Sequence, residues 1–326
     1  MTRAVRIHEY GGPEVLRLET IELAQPAAHE AIVRHTAIGL NFTDTYHRSG
    51  LYPVPQLPSG LGVEAAGVVE AVGSAVRDLQ PGQRVAYATA GVGAYAERRA
   101  VPADRLLPLP DGISDEVAAA ILLKGMTVEY LTRRCRPVER GETVLWHAAA
   151  GGVGLIACQW LSAQGVIVIG TAGGPEKTEL ARANGCAHVI DYRREDVAAQ
   201  VRKLTGGRGV PVVFDSVGRT TLLESLDALA PRGLLVSFGN ASGKPEPLDL
   251  GVLAQKGSLY VTRPTLGTYA ATRAELLESA RALFAAVEAG HVRPHIGQRW
   301  QLEDVAAAHR ALEARETIGS SLLLPG

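Results

Sequence analysis

Leu145-Trp146-His147-Ala148-Ala149-Ala150-Gly151-Gly152-Val153-Gly154 decides the reading of this 326-residue chain. It begins within a β-prone run, Thr143 to His147, and opens a segment of helical spacing, Gly152 to Gln164. Placed on the strand–loop–helix fingerprint for dinucleotides, Ala149 takes the first glycine position, Gly151 the second and Gly154 the third. Gly151 lets the backbone approach a pyrophosphate, and Gly154 permits close packing of helix on strand. The helix start offers unpaired N–H groups and a partial positive charge.

Outward from this loop, strands and helices alternate. Val166 to Thr171, Val189-Ile190, Val210 to Phe214 and Leu234 to Phe238 read as strands. Glu176 to Asn184, a segment with Val197, Val201 and Leu204 on one face, and Thr221 to Leu229 read as helices. Repeated β-α units of this size predict a parallel sheet covered on both faces. Before the loop the chain is β-rich: Val5–His8, Val15–Glu19, Ala31–Ala37, Ala65–Val72 and Arg84–Tyr87, with turns at Gly12-Pro13 and Pro81-Gly82. Ser114 is placed to cap a helix running to Leu123. After Val261 the alternation stops. Arg273 to Ala289 is an amphipathic helix with Leu276, Leu277, Ala280, Leu283, Phe284 and Val287 on one face. A helix from about Glu303 to Ala314 precedes the apolar Ser321 to Leu324. The expected class is α/β, a doubly wound middle with a β-rich start that the tail completes.

Composition narrows the function. A formal net charge of −1 lacks the basic footprint of a nucleic-acid binder. The longest apolar runs, such as Val117 to Leu123, are too short to cross a bilayer, and the start shows no secretory h-region. Three scattered cysteines argue against a disulfide framework or a four-cysteine zinc site and fit the reducing cytosol.

The end of the second strand reads Ile169-Gly170-Thr171-Ala172-Gly173-Gly174-Pro175-Glu176-Lys177. Sites that prefer NAD carry an acid there for the ribose 2′-hydroxyl. Here small residues leave room for a 2′-phosphate, and Lys177 supplies a cation. Glu176, in the following turn, is the competing acid. NADP is favoured.

The run Gly141-Glu142-Thr143-Val144-Leu145 through Ala149–Gly154, with Gln159 and Ser162, resembles the signature of the quinone oxidoreductase (zeta-crystallin-like) branch of the zinc-free medium-chain dehydrogenase/reductase superfamily. The likeness is to its bacterial NADPH:quinone reductases. Gly11-Gly12-Pro13-Glu14-Val15-Leu16, Asn41-Phe42-Thr43-Asp44, Lys124-Gly125-Met126-Thr127, Asp215-Ser216-Val217-Gly218 and Ser237-Phe238-Gly239-Asn240 extend the resemblance over essentially the whole chain. It implies a GroES-like β-rich catalytic domain from residues 1–124 and 267–326 and a Rossmann NADP-binding domain at residues 125–266. It also implies a homodimer built on the edge strand Ser258-Leu259-Tyr260-Val261.

Position by position, the resemblance implies NADPH contacts from Gly152, Val153, Gly173, Lys177 and Tyr192. Ser216, Phe238, Gly239, Asn240 and Arg315 extend the set, with Tyr192 and Arg315 joining Lys177 at the 2′-phosphate. Asn41, Phe42, Thr43, Asp44, Tyr46 and Tyr130 are implied at the nicotinamide, near Pro264 to Leu266. The zinc-ligand positions of related alcohol dehydrogenases correspond to Asn41, Val63 and Lys124, so no metal is expected. For catalysis, Asn41 is the candidate to orient a carbonyl or the nicotinamide. Tyr46 and Tyr52 are candidates to stack on or hydrogen-bond the acceptor, and Lys124 or Arg263 to stabilise negative charge on a reduced oxygen. His147 is expected to pack at its strand end and Cys158 to lie in the core. The expected activity is NADPH-dependent quinone reduction in the cytoplasm; the alternatives are reduction of alkenal or enone double bonds and, distantly, RNA binding.

Overall fold

Val144, Leu145, Val168, Ile169, Val212 and Val213 are all buried, as near-continuous apolar runs must be when helices cover both faces of a sheet. The computed structural model describes residues 1–326, which divide into two units. One comprises Met1–Met126, Tyr269–Glu288 and Pro294–Gly326; the other comprises Thr127–Thr268 and Ala289–Arg293.

The first unit opens with β1 (Thr2–Ile7), β2 (Arg17–Ile21) and β3 (Glu30–Leu40), then α1 (Phe42–Ser49) and β4 (Ser59–Gly60). There follow β5 (Glu64–Val72), β6 (Arg84–Tyr87), β7 (Arg98–Pro102), β8 (Leu107–Pro108) and α2 (Asp115–Glu129). Two expectations shift. His8 lies outside β1, and Val15 falls in a 3-10 turn at Pro13–Val15, so β2 begins at Arg17. The Ser114 cap forms: its Oγ accepts from Val117 N–H at 3.2 Å. Helix α1 is not expected from propensity, because Thr43, Asp44, Thr45 and Tyr46 are weak helix formers. A reciprocal capping box between Asn41 and Asp44 starts it, and Gly50 at φ 79° ends it.

In the second unit, β9 (Thr143–Trp146), α3 (Gly152–Ala163), β10 (Ile167–Ala172), α4 (Pro175–Ala183) and β11 (His188–Asp191) form the first half. Helix α5 (Val197–Leu204), β12 (Val210–Asp215), α6 (Leu222–Ala228), β13 (Leu229–Ser237), α7 (Leu250–Gln255), β14 (Tyr260–Thr262) and α8 (Leu266–Tyr269) follow. The six strands are parallel in the order β11-β10-β9-β12-β13-β14. This is the doubly wound order with its switch point between β9 and β12, where ligands bind beyond the carboxyl ends of the strands. The edge strand starts two residues later than expected, because Ser258 sits at φ 58° and cannot join an extended ladder. Leu145, Ile169, Val201, Val213, Leu226 and Leu235 belong to one core cluster.

The tail supplies α9 (Arg273–Glu288), β15 (Ile296–Gln301), α10 (Val305–Glu313) and β16 (Ser320–Leu324). Strand β15, absent from the sequence reading, pairs in parallel with β16, which pairs with β3. The main sheet of the first unit runs β15-β16-β3-β5-β6-β8, with β7 also on β3. Helix α9 buries Leu276, Ala280, Leu283 and Phe284 of the expected face and leaves Leu277 and Val287 half-buried.

Candidate active site

The glycine loop meets its expected geometry. Gly151 is the N-cap of α3 and no side chain caps that helix, so its first-turn N–H groups are offered outward. A Cβ on Gly154 would stand 2.3 Å from the Ala148 carbonyl oxygen, so only glycine lets the helix approach the loop this closely. At Gly151 a Cβ would stand 3.3 Å from the same oxygen, and Gly151 itself is exposed. The loop is pinned from behind. Ala149 N–H donates to the Thr171 carbonyl at 2.9 Å. His147 is buried, 3.2 Å from Thr171 Oγ1 and 3.0 Å from Ser225 Oγ, and burial lowers its pKa. It packs at its strand end as a neutral ring.

Beyond β10, Gly173 and Gly174 turn the chain into α4. A Cβ on Gly173 would meet Tyr192 Oη at 2.5 Å and Arg193 Nε at 3.1 Å. Tyr192 and Arg193 therefore lie across the turn that leads to Lys177. Arg193 escapes a reading focused on the second strand, because it arrives from the end of the third, in the pair Arg193-Arg194. The carboxylate near the turn is Asp191, whose Oδ1 accepts from Gly174 N–H and Arg193 N–H, each at 3.1 Å. Those backbone bonds hold its pKa down. Glu176 is exposed in the first turn of α4.

On the other side of the switch point, the turns after β12 and β13 interlock. A Cβ on Gly239 would stand 2.3 Å from the Ser216 carbonyl, and Ala241 N–H donates to that same oxygen. Phe238 leans on Trp146, with centroids 5.7 Å apart, and Asn240 is buried. Arg263 Nη1 donates to Ser237 Oγ and to the Gly239 carbonyl, both at 2.9 Å, and so braces this turn. Pro264 and Leu266 follow it, and Tyr130 is buried in the π-helical turn Tyr130–Cys135.

In the first unit, α1 gathers Phe42, Tyr46 and Tyr52. Tyr52 meets Tyr46 edge-on at 5.1 Å, and Phe42 lies 6.4 Å from Tyr46. Thr43 is half-buried beside them, and Arg315 stands beyond the end of α10 at φ 60°. Asn41 is 5% exposed, and its Nδ2 donates to Glu64 Oε2 at 2.8 Å and to the Gly39 carbonyl at 3.4 Å. Glu64, fully buried, also accepts from Leu123 N–H at 2.6 Å and pairs with Lys124 Nζ at 3.4 Å. Gly39 is obligatory here, because a Cβ would stand 2.2 Å from Glu64 Oε2.

Asp44 extends this network. Its Oδ2 accepts from Asn41 N–H at 2.8 Å and Tyr95 O–H at 2.7 Å, while Oδ1 is buried without a partner. Burial pushes its pKa up to about 7 against the pull of those bonds. Arg48 donates to His309 Nδ1, which assigns the ring proton to Nε2, aimed at Tyr95 Oη 3.1 Å away. Arg48 closes the chain with a bidentate bond to Glu313. Glu64, Tyr95, Arg48, His309 and Glu313 were not candidates from sequence. Only the Asn41-x-x-Asp44 spacing, a helix-start pattern, points toward the cluster.

The donor set does not fit zinc. Lys124 is a cation paired with Glu64, Val63 is aliphatic, and Asn41 offers only a neutral amide oxygen, a poor zinc ligand. No group of three His, Cys, Asp or Glu side chains is placed to hold a metal.

A doubly wound sheet carrying an uncapped glycine-rich helix start at its switch point, in one chain with a β-rich unit, defines a nucleotide-dependent oxidoreductase. The family model for the alcohol dehydrogenase GroES-like domain matches residues 27–111, and that for zinc-binding dehydrogenases matches residues 152–282. The chain is 55% identical to a quinone oxidoreductase of Pseudomonas aeruginosa, with all of both chains covered. It is 44% identical to a 2-haloacrylate reductase of a Burkholderia species, covering 100% of this chain and 99% of that one. The crystal structure of Escherichia coli quinone oxidoreductase complexed with NADPH superposes with a TM-score of 0.98 at 50% identity, covering 99% of this chain and 100% of that one. The chain belongs to the quinone oxidoreductase branch of the medium-chain dehydrogenase/reductase superfamily.

Proposed function

We propose that this protein reduces quinones with NADPH and without metal. The observation that carries the cofactor is the turn after β10, where Gly173, Tyr192, Arg193 and Lys177 stand in place of a ribose-binding acid. The N–H groups of Gly152 and Val153 bind the pyrophosphate, and Lys177, Tyr192, Arg193 and Arg315 take the 2′-phosphate. Ser216, Phe238, Gly239 and Asn240 line the cofactor. Asn41, Phe42, Thr43, Tyr46 and Tyr130, with Pro264 and Leu266, hold the nicotinamide end, and buried Asp44 fixes the Asn41 backbone. Bound NADPH supplies the reducing equivalents.

The chain's own residues bind and orient. Tyr46 and Tyr52 offer aromatic surface and phenol oxygens to a flat acceptor. Lys124 balances Glu64 and thereby fixes Asn41, and Arg263 fixes the Ser237–Gly239 turn. Because Val63, Lys124 and Asn41 do not fit a Lewis-acid metal, electron-poor acceptors such as quinones suit the site better than alcohols, whose oxidation needs an alkoxide stabilised.

The likeness to a 2-haloacrylate reductase supports a second reading, delivery of hydride to an activated C=C bond. Steady-state NADPH oxidation with 1,4-benzoquinone against an α,β-unsaturated ketone separates the two. Faster turnover of the quinone is expected, and absent quinone turnover overturns the proposal. A cytoplasmic homodimer completes the proposal. The unpaired edge of β14, with Tyr260 62% exposed, supports pairing with a second copy.

A further inference from the structure

Two of the three thiols, absorbed by no part of the function above, meet inside the second unit. Cys158 lies on α3, and Cys186 lies in the short link between α4 and β11. Their sulfurs are 3.0 Å apart, although the residues are 28 positions apart in the chain. A disulfide bond is about 2.05 Å long, so an approach of about 1 Å would convert the contact into a bond. Both residues are buried.

The meeting is built by two glycines. Gly185 sits at φ +103° and turns Cys186 toward α3, and a Cβ on it would stand 2.8 Å from the Cys158 carbonyl oxygen. Gly170, on β10, leaves the space that the Cys186 sulfur fills: a Cβ there would stand 2.6 Å from that sulfur and 2.6 Å from Ala149 Cβ. A side chain at either glycine would push the sulfurs apart. Cys135, the third thiol, is half-buried.

We propose that Cys158 and Cys186 form a modification site, a dithiol that hydrogen peroxide closes to an intramolecular disulfide. Cys186 reacts first. Cys158 is 0% exposed and its burial beside Cys186 holds it as the thiol, whereas Cys186 is 4% exposed and offers the sulfur that peroxide reaches first. The Cys186 sulfur attacks a peroxide oxygen, the O–O bond breaks, and the thiol proton leaves in the water released. The product is a sulfenic acid at Cys186. The Cys158 sulfur then attacks the Cys186 sulfur, the S–O bond breaks, and hydroxide departs with the Cys158 proton as a second water. Two thiols lose two protons and two electrons, and one peroxide becomes two waters. The contact holds the second thiol beside the sulfenic acid and favours closure over further oxidation.

The test uses the full chain in a Cys135→Ser background, oxidised while folded, quenched with catalase, denatured, alkylated and mapped by peptide mass. The expected product is one cross-linked peptide pair joining Cys158 to Cys186, two hydrogens lighter than the sum of its parts and split by dithiothreitol. With Cys158→Ala added, dimedone is expected to trap a sulfenic acid at Cys186; with Cys186→Ala added, Cys158 is expected to stay reduced. Recovery of both cysteines alkylated after peroxide treatment overturns the proposal. A cross-link that forms only when the chain is unfolded before oxidation overturns it as well. None of these readouts depends on the identity of the enzyme's substrate.

Discussion

Asn41 Nδ2 donates to Glu64 Oε2 at 2.8 Å, and the same carboxylate oxygen lies 3.4 Å from the Lys124 ammonium. One buried anion thus fixes an amide and neutralises a cation whose side chain is only 7% exposed. Breaking a buried pair from one side leaves the other charge uncompensated and costs about 3–5 kcal/mol. Glu64→Ala is expected to destabilise the protein by that amount in urea unfolding. Glu64→Gln combined with Lys124→Met, which removes both charges, is expected to recover most of the loss. Equal stability of Glu64→Ala and the native chain would show that the pair contributes nothing.

The two loop glycines separate stability from binding. Gly154→Ala forces a Cβ to 2.3 Å from the Ala148 oxygen and is expected to cost about 1–3 kcal/mol, the range for overpacking. Gly151→Ala has 3.3 Å of room and an open outer face. It is expected to keep the native melting temperature while raising KM for NADPH roughly tenfold, as for the loss of one hydrogen bond to a charged group. A stability loss of equal size in both variants would contradict this division.

Cofactor preference is expected to rest on charge at the turn after β10. Lys177→Ala and Arg193→Ala should each raise KM for NADPH about tenfold, the worth of one charge-assisted hydrogen bond, and leave KM for NADH nearly unchanged. The ratio of kcat/KM for the two cofactors is the measurement. An unchanged ratio in both variants would remove the 2′-phosphate assignment.

Acid sensitivity has a definite sign. Burial lowers His35 to about 4 and His309 to about 3, so the unfolded chain binds more protons below about pH 6.5 and stability falls on acidification. Asp44, raised to about 7, acts oppositely. The folded chain holds its proton from about pH 4 to 7, and the stability this gives is lost as pH rises through 7. Asp44→Asn removes the opposing contribution. Its stability should therefore fall more steeply on acidification than that of the native chain, by about 1.4 kcal/mol per pH unit inside that window. Parallel slopes in urea titrations would mean that Asp44 is ionised in the folded protein.

The nucleotide-binding half was legible because its chemistry is local. The glycine spacing, the strand before it and the missing acid after β10 all lie within Thr143–Lys177. Helix α1 was not, since its residues have poor helix propensity and only the Asn41–Asp44 capping box marks its start. The Asp44–Tyr95–His309–Arg48 chain was hidden for another reason. It joins residues up to 261 positions apart, and no local pattern reports a contact of that span. Arg193 was missed because it reaches the Gly173 turn from the neighbouring strand. Strand β15 escaped as well: half its positions are exposed and its polar residues, Gln298, Arg299 and Gln301, mask the alternation.

A site with no place for zinc should reduce quinones with NADPH in the absence of any metal. Steady-state oxidation of NADPH and of NADH with 1,4-benzoquinone, using protein dialysed against a strong chelator, tests it most directly. Undiminished quinone turnover after chelation and a higher kcat/KM with NADPH than with NADH are expected. Turnover that vanishes on chelation and returns with added zinc, or equal use of the two cofactors, would contradict it.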